Sequence, residues 1–115
     1  MDVRLTGDKD GRIRAAFAKT FTDQGFRTGS RNSRFALEVQ VSMETAPRNQ
    51  YFNTRYTINA ILRDTQTGTE LLTYNTWDRE SHPASQSDAD SRAVLGALRT
   101  IEQEFPGILV EFLGL

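Results

Sequence analysis

The pentapeptide Asp64-Thr65-Gln66-Thr67-Gly68 joins two segments that both alternate apolar and polar residues, and it constrains this chain more than any other feature. Gly68 is suited to the positive φ of a bulge that follows a type I turn. With Gln66–Gly68 as the loop, Leu62 faces Leu72, Ala60 faces Tyr74 and Ile58 faces Thr76. Even-numbered side chains of both strands then share one face, as a strand pair with one buried side requires. The same register sends Ile61, Leu71, Thr73 and Trp77 to the opposite face, with Thr57 across from Trp77. A face meant only for water seldom carries Ile, Leu and Trp together. Either the C-terminal tail covers this face within the chain, or the face receives a partner.

The remaining elements assemble around that hairpin. Phe35, Leu37, Val39, Val41 and Met43 alternate with polar or small residues and predict a further strand with one wet face. In the following strand Phe52, Tyr56, Ile58, Ala60 and Leu62 share the core parity. Ile13, Ala16, Phe17, Thr20 and Phe21 repeat at helical spacing, preceded by the candidate capping carboxylates Asp8 and Asp10 and stopped by Gly25, with Phe26 packing back. The spacing of Asp8-Lys9-Asp10-Gly11 would put Phe17 at the twelfth position of a calcium loop, where a Glu is needed, so capping is the better reading. A second helix begins at Ser87-Asp88-Ala89-Asp90, carries Ala93, Val94, Ala97, Leu98, Ile101 and Phe105 on one stripe, and is expected to end at Pro106-Gly107. Ile108–Leu113 is apolar on both parities and suits a buried strand or a short docked helix. With Val3–Leu5 as a first strand, the order is β-α-β-β-β-α plus an apolar C-terminal segment. It predicts a single α+β domain over residues 1–115, a two-layer sandwich with a mainly antiparallel sheet and two helices packed on one face. A compact chain of this length has a radius of gyration of about 13 Å.

Composition narrows the chemistry. Among 115 residues there is no cysteine and one histidine, His82. That excludes disulfides, thiolate metal sites, a cysteine nucleophile and any multi-histidine centre. Asp78, Glu80, His82, Asp88 and Asp90 cluster in sequence, but Asp88 and Asp90 are assigned to the helix start and His82 to a solvated loop. No catalytic residue, metal site or cofactor is expected. The formal charge of −1 argues against wholesale attraction to nucleic acid or anionic lipid. Twelve of the fourteen basic residues are Arg, and residues 24–63 hold six of them against two Glu, so this central region is the basic one. Arg48, Tyr51, Phe52, Arg55 and Tyr56, with Arg27, Arg31 and Arg34 nearby, mix aromatic and guanidinium groups as single-strand nucleic-acid binders do. Core aromatics flanked by solubilising Arg explain the run more simply.

The order Gly25-Phe26, alternating strand, Ile61-Leu62-Arg63-Asp64-Thr65-Gln66-Thr67-Gly68-Thr69-Glu70-Leu71-Leu72, then an Ala-rich amphipathic helix resembles small periplasmic modules of bacterial envelope lipoproteins. The lipopolysaccharide-assembly lipoprotein family and the LPP20 and TolB N-terminal modules are the families in question. The resemblance implies a non-enzymatic envelope domain, periplasmic or associated with the outer membrane, that binds a protein partner, with a lipid or lipopolysaccharide as a further candidate. It transfers no catalytic residues. The charged start, Met1 to Gly11, is not a signal peptide, and the expectation is a trimmed chain from which a leader has been removed. The candidate partner-binding residues are Ile61, Leu71, Trp77, Arg48 and Arg55. The alternative is a cytosolic, sheet-based single-stranded nucleic-acid binder, and more distantly a small metal-dependent hydrolase.

Overall fold

The computed structural model describes residues 1–8, 11–28, 33–45 and 51–114. Six elements follow in the expected order: β1 (Asp2–Thr6), α1 (Arg12–Asp23), β2 (Phe35–Thr45), β3 (Phe52–Asp64), β4 (Glu70–His82) and α2 (Gln86–Leu113). The strands form one sheet in the order β1-β2-β3-β4, with β1 parallel to β2 and the other neighbours antiparallel. The parallel pair needs a crossover, and α1 supplies it.

Beyond the turn the register is the expected one, with Leu62 paired to Leu72, Ala60 to Tyr74 and Ile58 to Thr76. The loop, however, is not Gln66–Gly68: Asp64 N–H donates to Thr69 O, Arg63 pairs with Glu70, and a bulge at Leu71 restores the expected pairing. Gly68 has φ 73°, and the Asp64 carboxylate accepts from the backbone N–H groups of Gln66 and Thr67 at 2.9 and 3.4 Å. These backbone donors, with Arg34 adding its guanidinium, hold the Asp64 carboxyl below the usual carboxylate range.

Ile13, Ala16, Phe17, Thr20 and Phe21 are the buried residues of α1. They join Leu37, Val39 and Val41 of β2, Tyr56, Ile58, Ala60 and Leu62 of β3, and Tyr74 of β4 in a core cluster that α2 completes with Ala93, Ala97, Ile101, Phe105 and Leu109. Asp8 caps α1 from upstream, accepting from Ile13 N–H at 3.4 Å and Arg14 N–H at 3.0 Å; Asp10 lies outside the described residues. The helix closes at Gly25, φ 90°, where Phe26 N–H donates to Phe21 O at 3.0 Å and the two rings meet edge-on.

Three expectations about α2 need correction. It starts at Gln86, capped by Ser85, whose Oγ accepts from Asp88 N–H at 3.1 Å and donates to Asp88 Oδ2 at 2.8 Å. Asp90, expected at the helix start, bonds instead to β3. The helix also does not stop at Pro106-Gly107; it runs on to Leu113 and closes at Gly114. Proline removes one helical N–H and leaves a carbonyl without its partner. The apolar stripe continues past it, however, because Leu109 stands four residues beyond Phe105 and is fully buried. Tertiary burial of the next turn outweighs the local defect, so Ile108–Leu113 is helix.

The molecule is longer than a compact sphere of its size, 49 × 25 × 20 Å with a radius of gyration of 15.4 Å. Strands of 13 residues extend for about 43 Å, and a helix of 28 residues for about 42 Å. These element lengths set the long axis.

Candidate functional site

The sheet has one face in the core and one face to which neither helix contributes a core residue. The second, open face is arranged in rows by the register. Glu44, Arg55 and Arg79 form one row, Ser42, Thr57 and Trp77 the next, then Gln40, Asn59 and Asn75, then Glu38, Ile61 and Thr73. Most of these side chains are uncharged hydrogen-bonding groups. Trp77 is 58% exposed, the most exposed large hydrophobic residue among those described. The Arg55 guanidinium stacks over its ring at 4.5 Å from the centroid, a contact in which a cation meets the negative face of the indole. Directly across the strand pair stands Arg79, and neither guanidinium meets a carboxylate among the described residues. Like charges placed opposite each other on a sheet repel, which leaves this corner able to accept an anionic or hydrogen-bond-accepting group.

Of the five candidate residues, the structure brings Arg55 and Trp77 together and puts Ile61 on the same face, half-buried in the row between Glu38 and Thr73. Arg48 lies outside the described residues. Leu71 is a correction. The ladder slips at Leu62/Arg63, and the bulge turns Leu71 toward the core cluster with Leu72. Leu71 there lines an apolar cavity of about 90 Å³ with Phe26, Leu109, Phe112 and Leu113. The C-terminal tail therefore lies on the helical side, where it shares this cavity with Leu71, and it leaves Trp77 exposed. A second correction concerns Phe52, which has the core parity yet is 36% exposed. It pairs with His82 at the last rung of the sheet.

His82 closes β4 as a half-buried residue rather than lying in a solvated loop; its Nδ1 accepts from Ala84 N–H at 3.0 Å and stands 3.8 Å from Asp88 Oδ2. Among the described residues no three His, Cys, Asp or Glu side chains come close enough to hold a metal. Among the described residues the basic side chains do not form one surface. Arg63 reaches Glu70 at 3.3 Å and Glu38 at 3.7 Å, and Arg34 reaches Asp64 at 3.3 Å. The Arg27 carbonyl accepts from the Met1 ammonium at the hairpin end of the sheet, whereas Arg55 lies eight residues from Arg63, about 26 Å along the strand. Arg31 lies outside the described residues.

Two features escaped sequence reasoning. A cleft of about 660 Å³ opens between the β1–α1 turn, the end of β2 and the first turns of α2, lined by Asp8, Ser42, Ser87, Asp90 and Ser91 among others. Gly7 makes its wall possible: at φ 89°, a Cβ there would stand 2.1 Å from the Val41 carbonyl oxygen. Beside it, the buried Thr54 hydroxyl donates to Asp90 Oδ1, and Gln86 Nε2 donates to Thr54 Oγ1 at 2.7 Å and to Asp90 Oδ1 at 2.9 Å. The signal was a threonine at core parity between Phe52 and Tyr56, because a buried hydroxyl needs a partner.

Comparison with known proteins agrees with this architecture. No protein-family model matches the chain, and no curated protein matches it in sequence. Solved structures do match in fold. The minor lipoprotein of Acinetobacter baumannii is 14% identical with a TM-score of 0.67 over 91% of this chain and 85% of its own. The rare lipoprotein B of Shewanella oneidensis is 11% identical with a TM-score of 0.57, covering 99% and 95%. A PelC dodecamer from Paraburkholderia phytofirmans is 15% identical with a TM-score of 0.51, covering 84% and 85%. The chain thus has an α+β fold that bacterial lipoproteins also adopt, and the resemblance drawn from element order holds at the level of fold.

Proposed function

We propose that residues 1–115 form a single non-catalytic binding domain of the bacterial cell envelope, which recognises a partner through the open face of its sheet. The observation that carries the reading is the corner where Trp77 stays exposed under the stacked Arg55 guanidinium, with Arg79 opposite. Exposed aromatic and Arg side chains of this kind are the usual anchors of protein interfaces. The hydrogen-bonding rows of Gln40, Asn59 and Asn75 supply the polar surround. The periplasmic or outer-membrane location rests on the lipoproteins that share the fold. The partner is a protein of the envelope, with anionic lipid or lipopolysaccharide as a further ligand for the Arg55–Arg79 corner.

The test is site-specific photo-crosslinking of the full gene product in its host, followed by cell fractionation. A crosslinker at Asn59 on the open face should give an envelope-protein adduct that Trp77→Ala or Arg55→Ala weakens, and one at Arg99 on the exposed side of α2 should not. Equal adducts from both positions, or recovery of the protein from the cytoplasm, would overturn the reading.

A further inference from the structure

The two edges of the sheet are treated differently. β1, at one edge, has five residues and carries the Arg4–Asp2 ion pair. The opposite edge, β4, has 13 residues with neither Lys nor Pro among them, although a long bare edge invites pairing with another strand. Hydrogen-bond geometry shows which groups that edge presents. In an antiparallel pair, alternate residues bond inward and the others point outward. At the hairpin end Asp64 N–H donates to Thr69 O, so the inward pairs continue at Leu62 with Leu72 and then at even positions. At the far end Arg79 N–H is taken by the Asp78 carboxylate at 2.7 Å and Ser81 O by Arg92 at 3.0 Å, so odd positions point outward. Both ends agree. Thr73, Asn75 and Trp77 therefore present N–H and C=O groups to the edge, and none of these has a partner among the described residues.

The open stretch is bounded by the bulge at Leu71 and the capped Arg79, so it runs from Leu72 to Asp78 with Asn75 at its midpoint. We infer that β4 pairs antiparallel with β4 of a second copy about a two-fold axis at Asn75, which joins the two sheets into one of eight strands. The sequence around that axis is self-complementary. Thr73 meets the second copy's Trp77 on the open face, and Tyr74 meets its Thr76 on the core face, so each aromatic finds a threonine. The row then reads Ile61, Thr73, Trp77 and Thr57 across the junction, which brings the exposed indole of one copy within one strand of the half-buried Ile61 of the other. An isologous contact of this kind closes on itself and does not propagate. The pairing goes beyond the partner recognition proposed above and stands or falls independently of it.

The chain has no cysteine, so single-cysteine variants report directly. Residues facing each other in a hydrogen-bonded antiparallel pair have Cα atoms about 5.5 Å apart, within disulfide range. Asn75→Cys should form a disulfide dimer under mild oxidation, whereas Asn59→Cys, one strand inward on the same face, should not. By sedimentation equilibrium the unmodified chain should pass from monomer to dimer as concentration rises, with Trp77 emission moving to shorter wavelength. Thr73→Lys should hold it monomeric with an unchanged circular dichroism spectrum. A wild-type chain that stays monomeric throughout, equal crosslinking at 75 and 59, or a Thr73→Lys variant that dimerises as wild type does would each overturn the inference. So would a monomer that leaves its own edge open yet binds a foreign β-strand peptide there.

Discussion

The two faces of this sheet arise from the same alternating strands and are organised by different forces. On the helical face, Phe105 meets the rings of Phe17, Tyr74 and Phe21 at centroid distances of 4.9, 5.4 and 5.8 Å, all within a closed core. There each side chain is fixed by its neighbours from every direction. On the open face Trp77 has Arg55 stacked on it and solvent over most of the rest. Polar groups on the helical face must be matched, as the Tyr74 hydroxyl is by Glu104 at 2.9 Å and Tyr56 by Thr100 at 3.0 Å. Burial, together with the hydrogen bond to Glu104, raises the Tyr74 phenol well above its ordinary range. Asn59, Asn75 and Gln40 on the open face need no such partners because water supplies them. The contrast teaches that packing fixes the side chains of one face and leaves those of the other free of that constraint.

That contrast can be broken by mutation. Phe105→Ala should destabilise the fold by about 3–5 kcal/mol in urea unfolding, because it leaves a cavity at the meeting point of three rings. Trp77→Ala should change it by less than about 1 kcal/mol. Comparable losses would mean that the open face is not open in solution. Leu109→Ala should cost about 2–5 kcal/mol while leaving acrylamide quenching of Trp77 unchanged, since the end of α2 supports the helical face alone. A rise in quenching would return the tail to the role of cover over Trp77.

A smaller effect is expected where the core face ends. Thr54→Val should cost about 1–3 kcal/mol by depriving Asp90 and Gln86 of their buried partner. The smallest effect concerns pH. The folded Asp64 carboxyl sits below its ordinary value, so its contribution is complete above about pH 4 and is lost as the pH falls through the depressed value. Thermal melts of wild type and Asp64→Asn should differ at neutral pH and converge in acid. A constant difference down to strongly acidic pH would show that the turn does not depend on the charge.

Much of the fold was legible because its signals are local. Asp64–Gly68 marks the turn, and the shared apolar parity of the two strands specifies the pairing of Leu62 with Leu72, which the ladder reaches through a bulge at Leu71. The five buried residues of α1 were equally plain, since helical spacing over two turns admits one buried face. The same reasoning placed Trp77 and Ile61 away from the core by parity alone. Leu71 was misplaced because strict alternation fails at a bulge. Phe52 was misplaced because parity says which way a side chain points and not whether neighbouring side chains close over it.

The sequence by itself determined the element order, the hairpin register and the two-faced character of the sheet, because turn chemistry and hydrophobic period act over a few residues. Only the tertiary structure decided that α2 continues through Pro106, that the Asp90 carboxylate bonds to Thr54 of β3, and that Leu71 turns inward while Trp77 stays exposed. Each of these is a contest between a local preference and burial against a distant segment. Burial is settled by three-dimensional neighbours that no local window contains.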